Sequence, residues 1–258
     1  MNEQFRVAQK IGLMFRSGTT VPKDIKTWAI SQLHANSPAL GIKTKSGKVE
    51  PWPQSMQPDL EERARLFRLY RENKKKEEER KDGQELESAK RANREDNRME
   101  EKDEMKFAHR NVYGKDQIRM RLMSFWANHF TISTSNGAWQ VVGHAMEEAI
   151  LANLNGSFSN MLYKVTTHPG MLAYLDNIWS AGEESKHTMN CRKKVDCHAG
   201  LNDNLGRELL ELHTVSPKAG YSETDIRQTA KVLAGWGINF DASIENLKKS
   251  GGTINHWD

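Results

Sequence analysis

The densest set of polar side chains that could bind a ligand or take part in a reaction lies in residues 200–213. If this stretch is an α-helix, each residue advances by about 100°, and three leucines fall on one apolar face: Leu205, Leu209 and Leu212. Glu208 and His213 then lie at the two borders of that face. Arg207 and Glu211 point away from it. The pattern predicts a helix with an apolar core face and a polar edge.

Glu208 is the residue of this helix with the clearest chemical potential. A carboxylate at the border of an apolar face is partly desolvated, as general acids, metal ligands and the acids of buried ion pairs are. The pattern therefore has a structural interpretation, an ion pair, and a functional one, a binding or catalytic group. Both interpretations stay open at the level of the sequence.

A second group of polar residues lies within an aromatic stretch, residues 125–130. Asn128 and His129 have Phe125, Trp126 and Phe130 as neighbours. Buried polar groups need hydrogen-bond partners, so we expect Asn128 or His129 to contact the 202–213 helix. A lone histidine in this position is also typical of a core or capping residue.

Two further sets contain residue types that commonly bind metal ions. His144 could chelate an ion with Glu147 or Glu148, one helical turn away, but both carboxylates lie opposite the apolar face, which favours a solvated surface. A second set has zinc-ligand types at a spacing that matches no common zinc motif: His187, Cys191, Cys197 and His198. Its two cysteines could equally form a disulfide or remain as thiols. The sequence predicts no metal site and identifies no cofactor.

The elements that position these residues are predicted to be helices. Apolar side chains recur at helical spacing from residue 4 onward, and Ser222 with Asp225 forms a capping-box pattern ahead of a further helix. Residues 38–58 and 180–202 read as loops. No alternating strand pattern of useful length is present, so the prediction is an all-α fold, a multi-helix single domain over residues 1–258.

One segment, residues 71–106, departs from this pattern. It has 12 basic, 13 acidic and only five apolar side chains, which predicts a long charged arm, helical or disordered, that adds almost nothing to the core. The balanced charge of this arm, and a net charge of +4 for all 258 residues, argue against a nucleic-acid partner. No apolar run reaches the ~20 residues of a membrane span, and no secretory signal is visible.

Several blocks of the chain together resemble one family of proteins. They are Phe-Trp-Ala-Asn-His-Phe-Thr from residue 125, Asn-Gly-Ser-Phe from 155, His-Pro-Gly-Met-Leu from 168, Asn-Asp-Asn-Leu-Gly-Arg-Glu-Leu-Leu-Glu-Leu-His from 202, Gly-Tyr-Ser-Glu-Thr-Asp-Ile from 220 and Leu-Ala-Gly-Trp from 233. This set is similar to the bacterial domain of unknown function 1800 family. The chain departs from the usual family pattern at Asp203, Gly206 and His213, where Glu, Ala and an aromatic such as Phe are usual.

The resemblance implies a mostly helical bacterial protein of a family whose members are commonly exported. Such proteins are often encoded beside a sulfatase-like family, which is therefore a candidate partner. Members usually run well beyond this length, so the chain is expected to be the N-terminal half or so, truncated at its C-terminal end. The resemblance implies no established activity.

Two functional hypotheses follow. The first is a binding or scaffold protein with a polar pocket built by six residues: His129, Asn202, Asn204, Arg207, Glu208 and Glu211. The second is a hydrolase, with or without a metal ion, that uses Glu208 as acid or base and His129 as its partner.

Overall fold

The structure is a computed structural model that describes residues 3–13, 15, 20, 22–34, 40–43, 45–52, 57–66, 76, 87–134, 139–194 and 199–238. Part of the predicted charged arm lies outside these residues, as do Cys197, His198, Ile244 and Leu247. The helical spacing of apolar residues that begins at residue 4 corresponds to a first helix that ends at Ile11.

The described part of the chain is mostly helical. Its α-helices, in chain order, are α1 (Glu3–Ile11), α2 (Ile25–His34), α3 (Glu87–Tyr113), α4 (Gln117–His129), α5 (Trp139–Ala145), α6 (Phe158–Thr166), α7 (Pro169–Tyr174), α8 (Lys186–Cys191), α9 (Asn204–Glu208) and α10 (Glu223–Leu233). Residues 60–66 are also helical. Two π-helices, in which N–H groups bond five residues back, are π1 (Met146–Ile150) and π2 (Leu209–Thr214). Short 3₁₀ turns are Leu151–Asn153, Asn177–Trp179 and Pro217–Ala219.

The predicted all-α class is confirmed, with a small addition. Strands β1 (Leu40–Lys43) and β2 (Val49–Pro51) pair as an antiparallel hairpin within the segment that was predicted to be a loop. The hairpin is too short to leave an alternating pattern, and Pro51 at its end is a residue that strands tolerate only at edges. None of the described helices is long and apolar enough to span a lipid bilayer.

The chain groups into two compact units. Unit 1 comprises residues 1–128 and 146–161, and unit 2 comprises residues 129–145 and 162–258. In unit 1 the core of α4 is formed by Ile118, Met120 and Met123. Phe125, in the aromatic stretch at the end of the same helix, is exposed.

Buried charges in unit 1 are paired. Arg110 donates to the fully buried Asp116 over 2.8 Å. Arg119 donates to the carbonyl oxygens of Leu33 and Leu151 at 2.8 and 2.9 Å, and its burial lowers its pKa. The two bonds from Arg119 join α4 to α2 and to the 3₁₀ turn at Leu151, which are distant in sequence, because an arginine presents several donors in a fixed plane.

Helix α3 belongs to unit 1 and includes the end of the predicted charged arm. Met99 and Lys106 are buried, Lys106 bonds Glu147 at 2.6 Å, and Asp103 accepts two bonds from Arg63 at 2.6 and 2.7 Å. The expectation that residues 71–106 add almost nothing to the core is therefore wrong for residues 99–106.

Unit 2 is built around α7 and the pair α9–α10. His168 is the N-cap residue of α7, Pro169 follows it in the first turn, and residues 169–173 are buried throughout. Helix α9 packs against α10, and Leu205 of α9 and Ile226 and Ala230 of α10 are nearly inaccessible to water. This packing fixes the position of the polar residues on α9.

Helix α10 has caps at both ends. Ser222 accepts a bond from the Asp225 N–H, and the Asp225 carboxylate accepts one from the Ser222 N–H at 2.7 Å, which confirms the predicted capping box. At the other end the buried amide of Asn177 donates to the carbonyl oxygens of Leu233 and Trp236. The orphan groups of both helix termini thus have partners.

Candidate functional site

The start of α9 is held by a turn that contains Asn202. Its side-chain oxygen accepts the N–H of Asn204 at 3.0 Å, and its backbone exchanges two bonds with the Ser180 hydroxyl at 3.1 and 3.3 Å. Asn204 itself is exposed. Asn202 therefore positions the helix, as Asn residues at turns commonly do.

Arg207 connects the N-terminal ends of α9 and α10. Its guanidinium group donates two bonds to Glu223 at 2.9 and 2.7 Å and one to Asp203 at 3.2 Å. The bonds from Arg207 lower the pKa of Glu223, and the same contacts raise the pKa of Arg207. Two-pronged contact of this kind fixes geometry, so Arg207 acts as a clamp between the two helices.

Gly206 lets the backbones of α9 and α10 approach each other. A Cβ atom at Gly206 would lie 2.9 Å from the Ala230 nitrogen and 3.2 Å from the Ile226 carbonyl oxygen. Such distances are shorter than normal contacts. The departure from the family pattern at Gly206 thus has a packing reason, which outweighs the weak helix propensity of glycine.

The helix changes character immediately after Glu208. From Leu209 to Thr214 it is a π-helix, in which each turn holds about one residue more than an α-turn. Leu205 is 0% exposed as predicted, but Leu212 is 59% exposed and His213 only 5%. The predicted leucine face is therefore wrong at Leu212, because the wider turn brings His213 into the core in its place.

His213 lies in an apolar environment next to aromatic rings. Its ring packs edge-on against Phe130, with the two centroids 5.3 Å apart. Its Nδ1 atom has no hydrogen-bond partner among the residues described. Burial, together with the nearby His129, lowers the pKa of His213 to about 4. His213 is thus a neutral side chain at pH 7.

His129 approaches the end of π2, as expected for the contact between the aromatic helix and residues 202–213. Its Nε2 atom lies 3.3 Å from the His213 carbonyl oxygen and, since a carbonyl can only accept, Nε2 donates. The last carbonyl groups of a helix have no partner within it. His129 therefore caps a helix end, and its geometry fits the capping interpretation.

Glu208 and Glu211 lie three residues apart across the junction of α9 and π2. Both are partly buried, and neither has a hydrogen bond or an ion pair within the described residues. Tyr221 is close by: desolvation raises the pKa of Tyr221, and the negative charge of Glu211 adds to the effect. Of the six predicted pocket residues, these two carboxylates and the exposed Asn204 are the ones whose side chains form no hydrogen bond or ion pair with another described residue.

The sequence interpretation missed one pair of residues in unit 2. His144 Nδ1 lies 3.2 Å from His168 Nε2, and His168 is buried. The sequence showed His168 only as a residue before a proline, although a polar residue at that position is a common N-cap. His144 and His168 are the described histidines in this unit with nitrogen atoms positioned to share a ligand.

The structure gives a different outcome for each of the two sets of metal-ligand residues considered from the sequence. Glu147 bonds Lys106, so it is a structural partner, whereas Glu148 follows His144 by one turn of the same continuous helix. Cys191 is disulfide-bonded and therefore offers no thiolate to zinc. The other cysteine of the chain, Cys197, lies outside the described residues.

Comparison with known proteins gives one match. The family model described as "Protein of unknown function (DUF1800)" matches residues 18–254, nearly the whole chain. No curated protein and no solved structure matches the chain.

Proposed function

The chain belongs to the DUF1800 family, and from this premise we propose that it is a ligand-binding protein whose binding surface includes Glu208 and Glu211. The observation that carries the proposal is the pair of half-buried carboxylates without hydrogen bonds or ion pairs within the described residues. A carboxylate that loses water without gaining donors is destabilised. A ligand with hydrogen-bond donors or positive charge would supply what the protein does not.

The surroundings of the two carboxylates support this proposal because they are rigid. Gly206 brings α9 into close backbone contact with α10, and Arg207 ties the two helix starts together. Binding groups on rigid elements keep their geometry when the ligand arrives. The π-helix that begins at Leu209 adds support, since π-turns occur frequently at functional sites.

The other predicted pocket residues have different roles in the proposal. Asn202, Arg207 and His129 are positioning residues, because each bonds to the backbone or side chain of a neighbouring element. Asn204 is exposed at the start of α9 and could contact the ligand as a donor or acceptor.

The alternative, a hydrolase that uses Glu208 and His129, has weaker support. His129 Nε2 donates to the His213 carbonyl, and no hydrogen bond joins Glu208 to another described residue. An acid–base pair would need these two side chains within reach of one proton. Hydrolysis of p-nitrophenyl acetate that is lost in Glu208→Gln but retained in Glu184→Gln would favour this alternative.

Export and a sulfatase-like partner, both implied by the family resemblance, belong to the same proposal. The disulfide at Cys191 supports export, because disulfides persist mainly in oxidising compartments. Co-purification of the chain with the neighbouring sulfatase-like protein would test the partner.

Thermal unfolding with candidate ligands tests the binding surface directly. We would measure the midpoint with spermidine, arginine or Ca²⁺, each of which presents positive charge. A ligand at 100 times its dissociation constant adds about 2.7 kcal/mol to the free energy of unfolding. We expect at least one of the three to raise the midpoint of the wild type.

Two matched variants complete this experiment. Glu208→Gln should remove the rise, while Glu184→Gln, an exposed carboxylate elsewhere in unit 2, should retain it. Without ligand, Glu208→Gln should leave the midpoint unchanged or raise it, because no cation loses its partner. The proposal fails if no probe raises the midpoint or if Glu208→Gln responds like the wild type.

A further inference from the structure

A pair of facing histidines in unit 2 lies outside the proposed binding surface. His144 is half-buried on α5, and His168, which is 4% exposed, is the N-cap residue of α7. Their Nδ1 and Nε2 atoms face each other at 3.2 Å, with the ring planes inclined by 32°. Two ring nitrogens can face each other at this distance only with a proton or a cation between them.

The proton has a defined location when no cation is present. His168 Nδ1 accepts the N–H of Gly170 at 3.1 Å, so in the neutral ring the proton is on Nε2. Nε2 then donates to His144 Nδ1. Both nitrogen atoms therefore take part in one hydrogen bond that a metal ion would replace.

The spacing of the two nitrogens also fits a metal ion. Zinc binds imidazole nitrogen at about 2.0–2.1 Å, and two such bonds at a tetrahedral angle place the nitrogens about 3.3 Å apart. The observed 3.2 Å is within a few tenths of an ångström of that value. Ligation would need almost no movement of α5 relative to α7.

We propose that His144 and His168 form a binding site for a divalent transition metal, of which zinc fits best. The two histidines leave the remaining coordination positions for water or another small ligand. A metal ion on His168 Nε2 moves the ring proton to Nδ1. Nδ1 then becomes a donor and can no longer accept the N–H of Gly170. Metal binding is thus expected to weaken that bond at the start of α7.

The test uses metal-free protein of the full chain, titrated with Zn²⁺ by calorimetry at pH 7.5 without reductant. We expect one equivalent to bind the wild type. Co²⁺, used as a spectroscopic substitute, should give the visible absorption of a four-coordinate ion. Proton exchange of the Gly170 amide should accelerate when Zn²⁺ is added, which a simple histidine–histidine hydrogen bond would not produce.

Three variants decide the identity of the ligands. His168→Asn retains an N-cap residue but is too short to reach the ion, and we expect it to bind Zn²⁺ at least tenfold more weakly. His144→Gln should do the same. His187→Gln, an exposed histidine on α8, is the matched control and should bind as the wild type does.

Two outcomes would overturn the proposal. One is a wild type that binds no stoichiometric Zn²⁺. The other is a folded His168→Asn or His144→Gln protein, judged by its helical circular dichroism, with the affinity of the wild type.

Discussion

Helix α10 and the π-helix π2 belong to the same unit, but they differ in how their backbone groups are bonded and in which side chains they bury. In α10 both ends are capped, and Ile226, Ala230 and Leu233 are buried one turn apart. In π2 a leucine is exposed and a histidine is buried. At the end of π2 one carbonyl group is shared by two donors: the Leu210 oxygen accepts N–H groups from both Val215 and Ser216.

This difference distinguishes two parts of unit 2. Helix α10 stabilises the fold, whereas π2 has features that serve a purpose other than stability. Burying the His213 ring without a partner for Nδ1 lowers stability, and so does exposing Leu212. Proteins retain such locally unfavourable arrangements mainly at functional sites. The carboxylates proposed to bind a ligand lie at this junction, and α10 provides the stable support beneath them.

The largest expected effect tests whether the wide turn of π2 is correct. Leu205→Ala removes a fully buried side chain and should lower the free energy of unfolding by about 2–5 kcal/mol. Leu212→Ala, the matched variant on the exposed side of π2, should change it by less than about 1 kcal/mol. Denaturant unfolding of both variants gives the comparison. Equal losses would mean that a regular α-helix continues through residue 212.

The second prediction concerns the pH dependence that His213 introduces. Its folded-state pKa of about 4 lies below the ordinary value of 6.5 because of burial. A depressed pKa means that the unfolded state binds the proton more readily. The stabilisation is therefore complete above pH ~6.5 and is lost as the pH falls toward 4, by up to about 3 kcal/mol. Unfolding measured between pH 7.5 and 4 shows this slope.

Replacing the histidine isolates its contribution. His213→Phe retains an aromatic ring against Phe130, removes the unpartnered nitrogen and should flatten the pH dependence over the same range. At pH 7 it should also stabilise the protein by about 1–3 kcal/mol. His187→Phe, at an exposed position of α8, should leave the slope as it is. A slope that persists in His213→Phe would assign it to another group.

Much of the architecture could be predicted from the sequence because it depends on local rules. The capping box at Ser222, the proline at the first position of α7 and the apolar spacing of α10 each have one local solution. Helix α8 was missed within a predicted loop, although Ser185 caps it through the Thr188 N–H. Six residues with few apolar side chains leave little periodicity to detect.

The arrangement of the site could be predicted only in part. The sequence predicted that Asn128 or His129 contacts the 202–213 segment, because buried polar groups need partners. In the structure His129 makes this contact. The sequence did not indicate the π-helix. A change in hydrogen-bond spacing from four to five residues leaves no signal in the amino-acid composition. The facing pair His144 and His168 depends on tertiary packing of α5 against α7, which a spacing rule along one helix cannot show.

The smallest of the three effects tests the close contact that supports both α9 and α10. Gly206→Ala improves helix propensity by about 1 kcal/mol, but its Cβ atom would lie 2.9 Å from the Ala230 nitrogen. Backbone atoms cannot move aside as a flexible side chain can, so the helices must separate. Overpacking of this kind costs about 1–3 kcal/mol, and we expect a net loss of stability.

Gly182→Ala, where a Cβ atom would meet nothing within 4 Å, should be close to neutral. If Gly206→Ala unfolds at a higher denaturant concentration than the wild type, the helices do not approach as closely as described, and the rigid support proposed for Glu208 and Glu211 loses its basis.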